Sequence, residues 1–118
     1  MLRTDPRRTP RYPFLASAEV TDTRTANTIS QRTTELSRFG CYIDTPNPFP
    51  IASKVNITIL HQEEKFEAAG RVVYAQKNKG MGVAFDSAKL ESAAILEKWL
   101  ASLSDTSRSG IHVGNAEG

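Results

Sequence analysis

One cysteine, Cys41, stands in 118 residues, so no disulfide can form within the chain. A reducing compartment, the cytoplasm, is the expectation that follows. No apolar run approaches the roughly 18 residues of a membrane span, which argues against membrane insertion. No charged-then-apolar leader opens the sequence, so no signal peptide is expected. Histidine is scarce: His61 and His112 lie far apart with no ligand cluster beside them, which speaks against a metal site. No Ser–His–acid or paired-carboxylate arrangement stands out, and an enzyme is not expected. Aromatic residues are few and the net charge is only +2. Binding to a nucleic acid polymer needs a basic groove with stacking platforms, and is therefore not expected either.

The charge that is present is uneven. The first dozen residues hold Arg3, Arg7, Arg8 and Arg11 against Asp5 alone, while the remainder is close to neutral. A basic arm on a neutral body points to a local anion site. Residues 1–13 contain three prolines and no apolar periodicity, and read as a flexible basic arm. Phe14, Ala16, Ala18 and Val20 then alternate with Ser17, Glu19 and Thr21 as in a half-buried strand. A Thr-rich strand over 28–37 follows, then Cys41-Tyr42-Ile43. Pro46, Pro48 and Pro50 exclude a central strand in the next segment. Val55, Ile57 and Ile59 alternate, as do Phe66, Ala68, Gly70, Val72 and Tyr74; a last strand spans 81–85. Ser87 is the expected helix N-cap. Leu90, Ala94, Ile95, Trp99, Leu100 and Leu103 form the expected apolar stripe of a closing helix. Residues 105–118 read as a disordered tail. The expected fold is mainly β: a small six-stranded antiparallel barrel over 14–104, with a C-terminal α-helix and Trp99 as its plug.

Two short motifs roughly 25 residues apart remain to be explained. Arg7-Arg8-Thr9-Pro10-Arg11 has R-x-x-x-R spacing, and Glu35-Leu36-Ser37-Arg38-Phe39-Gly40 is an acid-x-Ser-x-x-Gly element at a strand end. Arginine's planar fork matches the O6 and N7 acceptors of guanine, stacks on bases and pairs with phosphate. A carboxylate accepts from guanine's opposite edge, a serine hydroxyl donates to phosphate, and glycine admits a close approach. Glu35 and Ser37, two apart on a strand, are expected on one outer face with Leu36 inward. Arg38 is expected to be solvated, and Arg71 to pair with Glu67 or Glu63.

In this order, and followed by the strand pattern above and by Gly80-Met81-Gly82-Val83-Ala84-Phe85, the motifs resemble those of the PilZ domain, a bacterial receptor module for cyclic di-GMP. The resemblance covers most of the chain. It implies a ligand clamped between a switch arm and the barrel surface. Carried over, Arg7 and Arg11 match the two arginines, Ser37 the serine and Gly40 the glycine. Glu35 stands where the family carries Asp or Asn. Arg8 either stacks on a base or faces water. The resemblance thus implies a cyclic di-GMP receptor with no cofactor, which changes conformation on binding and signals to an effector protein not identified by the sequence. The alternative is an adaptor of the same fold that binds a protein and ignores nucleotide.

Overall fold

The computed structural model describes the backbone of residues 9–112 and side chains as far as residue 105. Six strands and one helix follow in order: β1 Tyr12–Asp22, β2 Thr28–Leu36, β3 Gly40–Asp44, β4 Lys54–His61, β5 Glu64–Gln76, β6 Gly80–Ala88 and α1 Leu90–His112. The strands close into a barrel in the order β1-β2-β3-β6-β5-β4, every neighbour antiparallel. Closure leaves no sheet edge to protect, which suits so short a chain.

Alternation produces the barrel. Phe14, Ala16, Ala18 and Val20 of β1 are buried, and so are Val55, Ile57 and Ile59 of β4. Leu36, Ile43, Phe66, Val72, Met81 and Val83 complete the interior. Cys41 joins them as a small core residue, and burial pushes its thiol pKa up to about 12. Thr33 is a fully buried polar residue on the inner face. Its hydroxyl donates to the Tyr42 carbonyl at 2.9 Å, which offsets the cost of burial.

Helix α1 covers one end of this barrel. Trp99, only 4% exposed, stacks against Phe14 at 5.2 Å and Phe66 at 6.4 Å, as the plug expected from sequence. Its indole N–H donates to Glu64 Oε1 at 3.1 Å, and Lys98 Nζ donates to the other oxygen at 2.6 Å. Those two bonds, that from Lys98 first, hold the Glu64 carboxyl below its ordinary pKa.

Several boundaries differ from the sequence reading. Ser87 is not the helix cap: β6 runs on to Ala88, because the long β5 still offers Ala69 and Ala68 as partners for Ser87 and Ala88. The helix therefore starts later, with the Lys89 carbonyl accepting from Ala93 N–H. Its buried face shifts accordingly to Ser92, Leu96, Trp99 and Leu100, while Leu90 is exposed and Ala94 turns outward. The helical backbone also continues past residue 104 to His112, in a segment with no proline to stop propagation. At the other end, β1 takes in Tyr12 and Pro13, since Leu36 and Glu35 give them partners. Arg71 pairs with Asp86 rather than Glu67 or Glu63. An extra β6 residue at a bulge puts Asp86 beside it, whereas Glu67 is four residues, ~13 Å, along the same strand.

Candidate ligand surface

The start of β1, the end of β2 and the start of β3 lie side by side at the rim of the barrel end that α1 covers. Tyr12 pairs with Leu36 and Pro13 with Glu35; on the other flank Glu35 pairs with Tyr42 and Leu36 with Cys41. Arg11 is exposed and directly precedes Tyr12, so the register carries it toward the β2 end where Ser37 follows Leu36. Two motifs far apart in sequence are thereby neighbours across one pair of strands. Arg7 and Arg8 lie outside the described residues. Thr9 is buried, so the chain is packed on the body two residues before Arg11.

The acid-x-Ser-x-x-Gly element is not the flat outer strand that its spacing implies. β2 carries an extra residue relative to β3 between Thr33 and Glu35, and β1 one relative to β2 between Pro13 and Ala16. These bulges bend the rim and aim Glu35 alongside Tyr42. Ser37, by contrast, is buried, with 8% of its surface exposed, because the strand ends at Leu36 and the chain turns at once. Its N–H donates to the Gly40 carbonyl at 2.9 Å. Its hydroxyl donates to the same oxygen at 3.3 Å and accepts from Phe39 N–H at 3.2 Å. Ser37 and Glu35 thus do not share an open face: Ser37 holds the turn together.

Gly40 also has a duty within the fold. A Cβ there would lie 2.3 Å from the Val83 carbonyl oxygen of β6, closer than any side chain tolerates. Arg38, expected to be solvated, instead forms an ion pair with Glu97 of α1, both side chains about half exposed. The next residue, Phe39, uses its carbonyl to accept Phe85 N–H at 2.8 Å. The turn is therefore pinned to β6 and to the helix.

From Glu35 an outward row runs across the sheet. Tyr42 pairs with Gly82 of β6, which pairs with Tyr74 of β5. Gly82 puts no side chain between them, and the two rings approach with centroids 6.4 Å apart and planes 40° from parallel, the Tyr42 ring lying against Gly80. Burial raises the Tyr42 phenol pKa, and Tyr74, Asp44 and Glu35 add in the same direction. The sequence reading places Tyr74 inward, continuing from Val72. An extra β5 residue between Val72 and Tyr74 breaks the alternation, and Tyr74 is 48% exposed. A glycine inside a strand pattern, here Gly82, was the available sign of such an irregularity.

The row offers a carboxylate acceptor beside an aromatic face, and exposed Arg11 stands just before β1. That set suits a planar base joined to an anion better than it suits bond-making chemistry. Two concave regions among the described residues lie elsewhere. A cleft of about 430 Å³ at the helix seam is lined by Phe14, His61, Glu63, Glu64, Lys98 and Trp99, among others. A second, of about 520 Å³, lies over β4, β5 and β6. Neither contains Arg11, Glu35 or Ser37.

Comparison with known proteins bears on the family and the fold. The family model described as PilZ domain matches residues 5–102. Among solved structures, the PilZ domain of YcgR from Escherichia coli, described with c-di-GMP, superposes with a TM-score of 0.65 at 15% identity, covering 93% of this chain and 100% of that one. The PilZ domain of CeSA from a cellulose-synthesizing bacterium gives 0.63 at 17% identity, covering 81% and 99%. The Bacillus subtilis inhibitor of motility MotI/DgrA gives 0.61 at 13% identity, covering 83% of this chain and 50% of that one. At such identities these likenesses bear on the fold alone. No curated protein sequence matches the chain significantly.

Proposed function

The chain belongs to the PilZ domain family, and from that premise we propose that it is a cyclic di-GMP receptor whose ligand lies on the β1–β2–β3 rim. One observation supports the reading: the strand register pairs the start of β1, which Arg11 directly precedes, with Glu35 and Leu36 of β2 at one rim, although the two motifs are far apart in sequence. In this account Arg11 and Arg7 take phosphate or the O6/N7 edge of guanine, and Arg8 stacks or stays in water. Glu35 accepts from guanine N–H donors, and Tyr42 beside it supplies an aromatic face. Gly40 keeps the turn tight against β6. Ser37 keeps the turn's shape and reaches a phosphate only by rotating its hydroxyl off the Gly40 carbonyl.

Glu35 keeps the carboxylate of the Asp found at this position in the family, but adds a methylene and a rotor. The extra side-chain entropy and the displaced acceptor cost roughly 0.5–1.5 kcal/mol, a loss of affinity of about twofold to thirteenfold. That weakens binding without abolishing it. Signalling then follows from ordering the basic arm over the rim, which presents a new surface to an effector protein. Ligand favours the closed state only through contacts made there.

A specific observation supports a second reading, an adaptor of the same fold that does not bind nucleotide. Ser37 and Gly40 both have duties inside the turn that persist without any ligand. Calorimetric titration separates the two. A receptor gives saturable heat with cyclic di-GMP and none with GMP at equal concentration. No heat with cyclic di-GMP up to about 1 mM, a free energy no better than about −4 kcal/mol, would establish the adaptor reading.

A further inference from the structure

Arg38 sits inside the ligand-bearing turn, one residue from Ser37 and two from Gly40, yet it serves the helix. Its guanidinium pairs with Glu97 of α1, and both side chains are about half exposed, at 53% and 54%. Other polar links between α1 and the barrel run to the opposite side. Glu64 binds Lys98 and Trp99, and Ser92 Oγ accepts the Glu67 N–H at 3.0 Å, all at β5. Among the described residues, Arg38–Glu97 is thus the ion pair that ties α1 to the β2–β3 turn.

Half-exposed ion pairs are weak, because water screens them and two long side chains must be held still. A guanidinium bonded to a phosphodiester or to a guanine edge gains two parallel, charge-assisted hydrogen bonds. The turn itself need not move for the exchange. Its backbone is fixed by Ser37 N–H to the Gly40 carbonyl and by Phe85 N–H to the Phe39 carbonyl, so only the Arg38 side chain must rotate.

We propose that Arg38 is a further ligand-binding arginine, held by Glu97 until a cyclic dinucleotide takes it, so that anchoring of α1 and binding of ligand compete for one side chain. The proposal rests on the cyclic di-GMP reading and names a residue and a linkage which that reading does not contain. Linkage is reciprocal: whatever loosens Arg38 from Glu97 tightens ligand binding, and ligand loosens the β2–β3 side of α1. The β5 anchors remain, so the helix stays docked through Trp99.

A calorimetric cycle tests this with the intact chain and cyclic di-GMP. Glu97→Gln removes the competitor and is expected to tighten binding threefold or more. Arg38→Ala is expected to weaken it threefold or more. Glu97→Gln added to Arg38→Ala should then change nothing. The positions are exposed, and thermal melts confirm that each variant is folded before titration. Unchanged affinity in Glu97→Gln overturns the proposal. So does equal tightening in the Arg38→Ala background, which would reveal only the loss of a negative charge. Absence of binding by the unsubstituted chain overturns both this proposal and the receptor reading. Binding indifferent to Glu97 overturns this one alone.

Discussion

The helix seam and the β1–β2–β3 rim lie at the same end of the barrel and are built on opposite terms. At the seam every prominent side chain has a partner within the fold. Trp99 packs among Phe14, His61 and Phe66, its N–H is bonded to Glu64, and Glu64 also holds Lys98. At the rim the backbone is as constrained as anywhere, through Gly40 against β6 and Ser37 within its turn. The side chains that project from it are held by fewer and more exposed contacts, such as Arg38 with Glu97 and the Tyr74 hydroxyl donating to Gln76 Oε1 at 2.6 Å. Arg11 is exposed, and Glu35, Tyr42 and Tyr74 form an outward row that the barrel does not need. Residues that packing explains say little about function; those on a rigid base that packing leaves unexplained are where recognition belongs.

Substitutions break this contrast at different depths. The largest effect is expected at the seam. Trp99→Ala should cost about 3–5 kcal/mol through lost burial and the cavity left behind. A thermal or urea melt measures it, and the loss should not depend on ligand. Gly40→Ala comes next, at about 1–3 kcal/mol, because β6 backbone cannot yield to the new methyl group as a flexible side chain would. If Gly40→Ala melts like the parent chain, the rim's backbone is looser than described, and the glycine serves a ligand instead.

Arg11→Ala should do the reverse of both. It should leave the melting transition of the free protein nearly unmoved while weakening cyclic di-GMP binding at least tenfold, ~1.4 kcal/mol. Unfolding on this substitution would make Arg11 structural and end the switch model. The smallest expected effect is a pH dependence at the seam. Glu64 is held below its ordinary pKa by the Lys98 and Trp99 bonds. Its contribution is therefore fully present above the unfolded carboxyl value and is lost as pH falls through the lowered, folded one. The melting temperature should thus fall on acidification below the usual carboxylate range, and fall less in Glu64→Gln.

The same contrast sorts what the sequence made legible. Alternation of apolar residues identifies the strands, the closed barrel and the Trp99 plug, because those depend on local period and burial. What it misses depends on register. Tyr74 leaves the core because β5 gains a residue between Val72 and Tyr74, and Ser37 turns inward because β2 ends one residue before it. Arg38 finds Glu97, and Arg71 finds Asp86, only once strands and helix are docked. The helix stripe slips because β6 consumes Ser87. Each motif residue can be read from spacing and chemistry; whether a residue is also needed by the fold cannot, as Ser37 and Gly40 show.

If the rim recognises guanine through Glu35, affinity must follow the side chain at that position. A calorimetric titration of cyclic di-GMP into the parent chain, Glu35→Asp and Glu35→Ala tests it most directly. Glu35→Asp should keep or improve affinity by restoring the family's usual side chain. Glu35→Ala should weaken binding, and Glu35→Lys should weaken it further by placing a cation against the guanine donors and the arginines. A flat series, with every variant within about twofold of the parent, ~0.4 kcal/mol, would contradict it and remove Glu35 from the site.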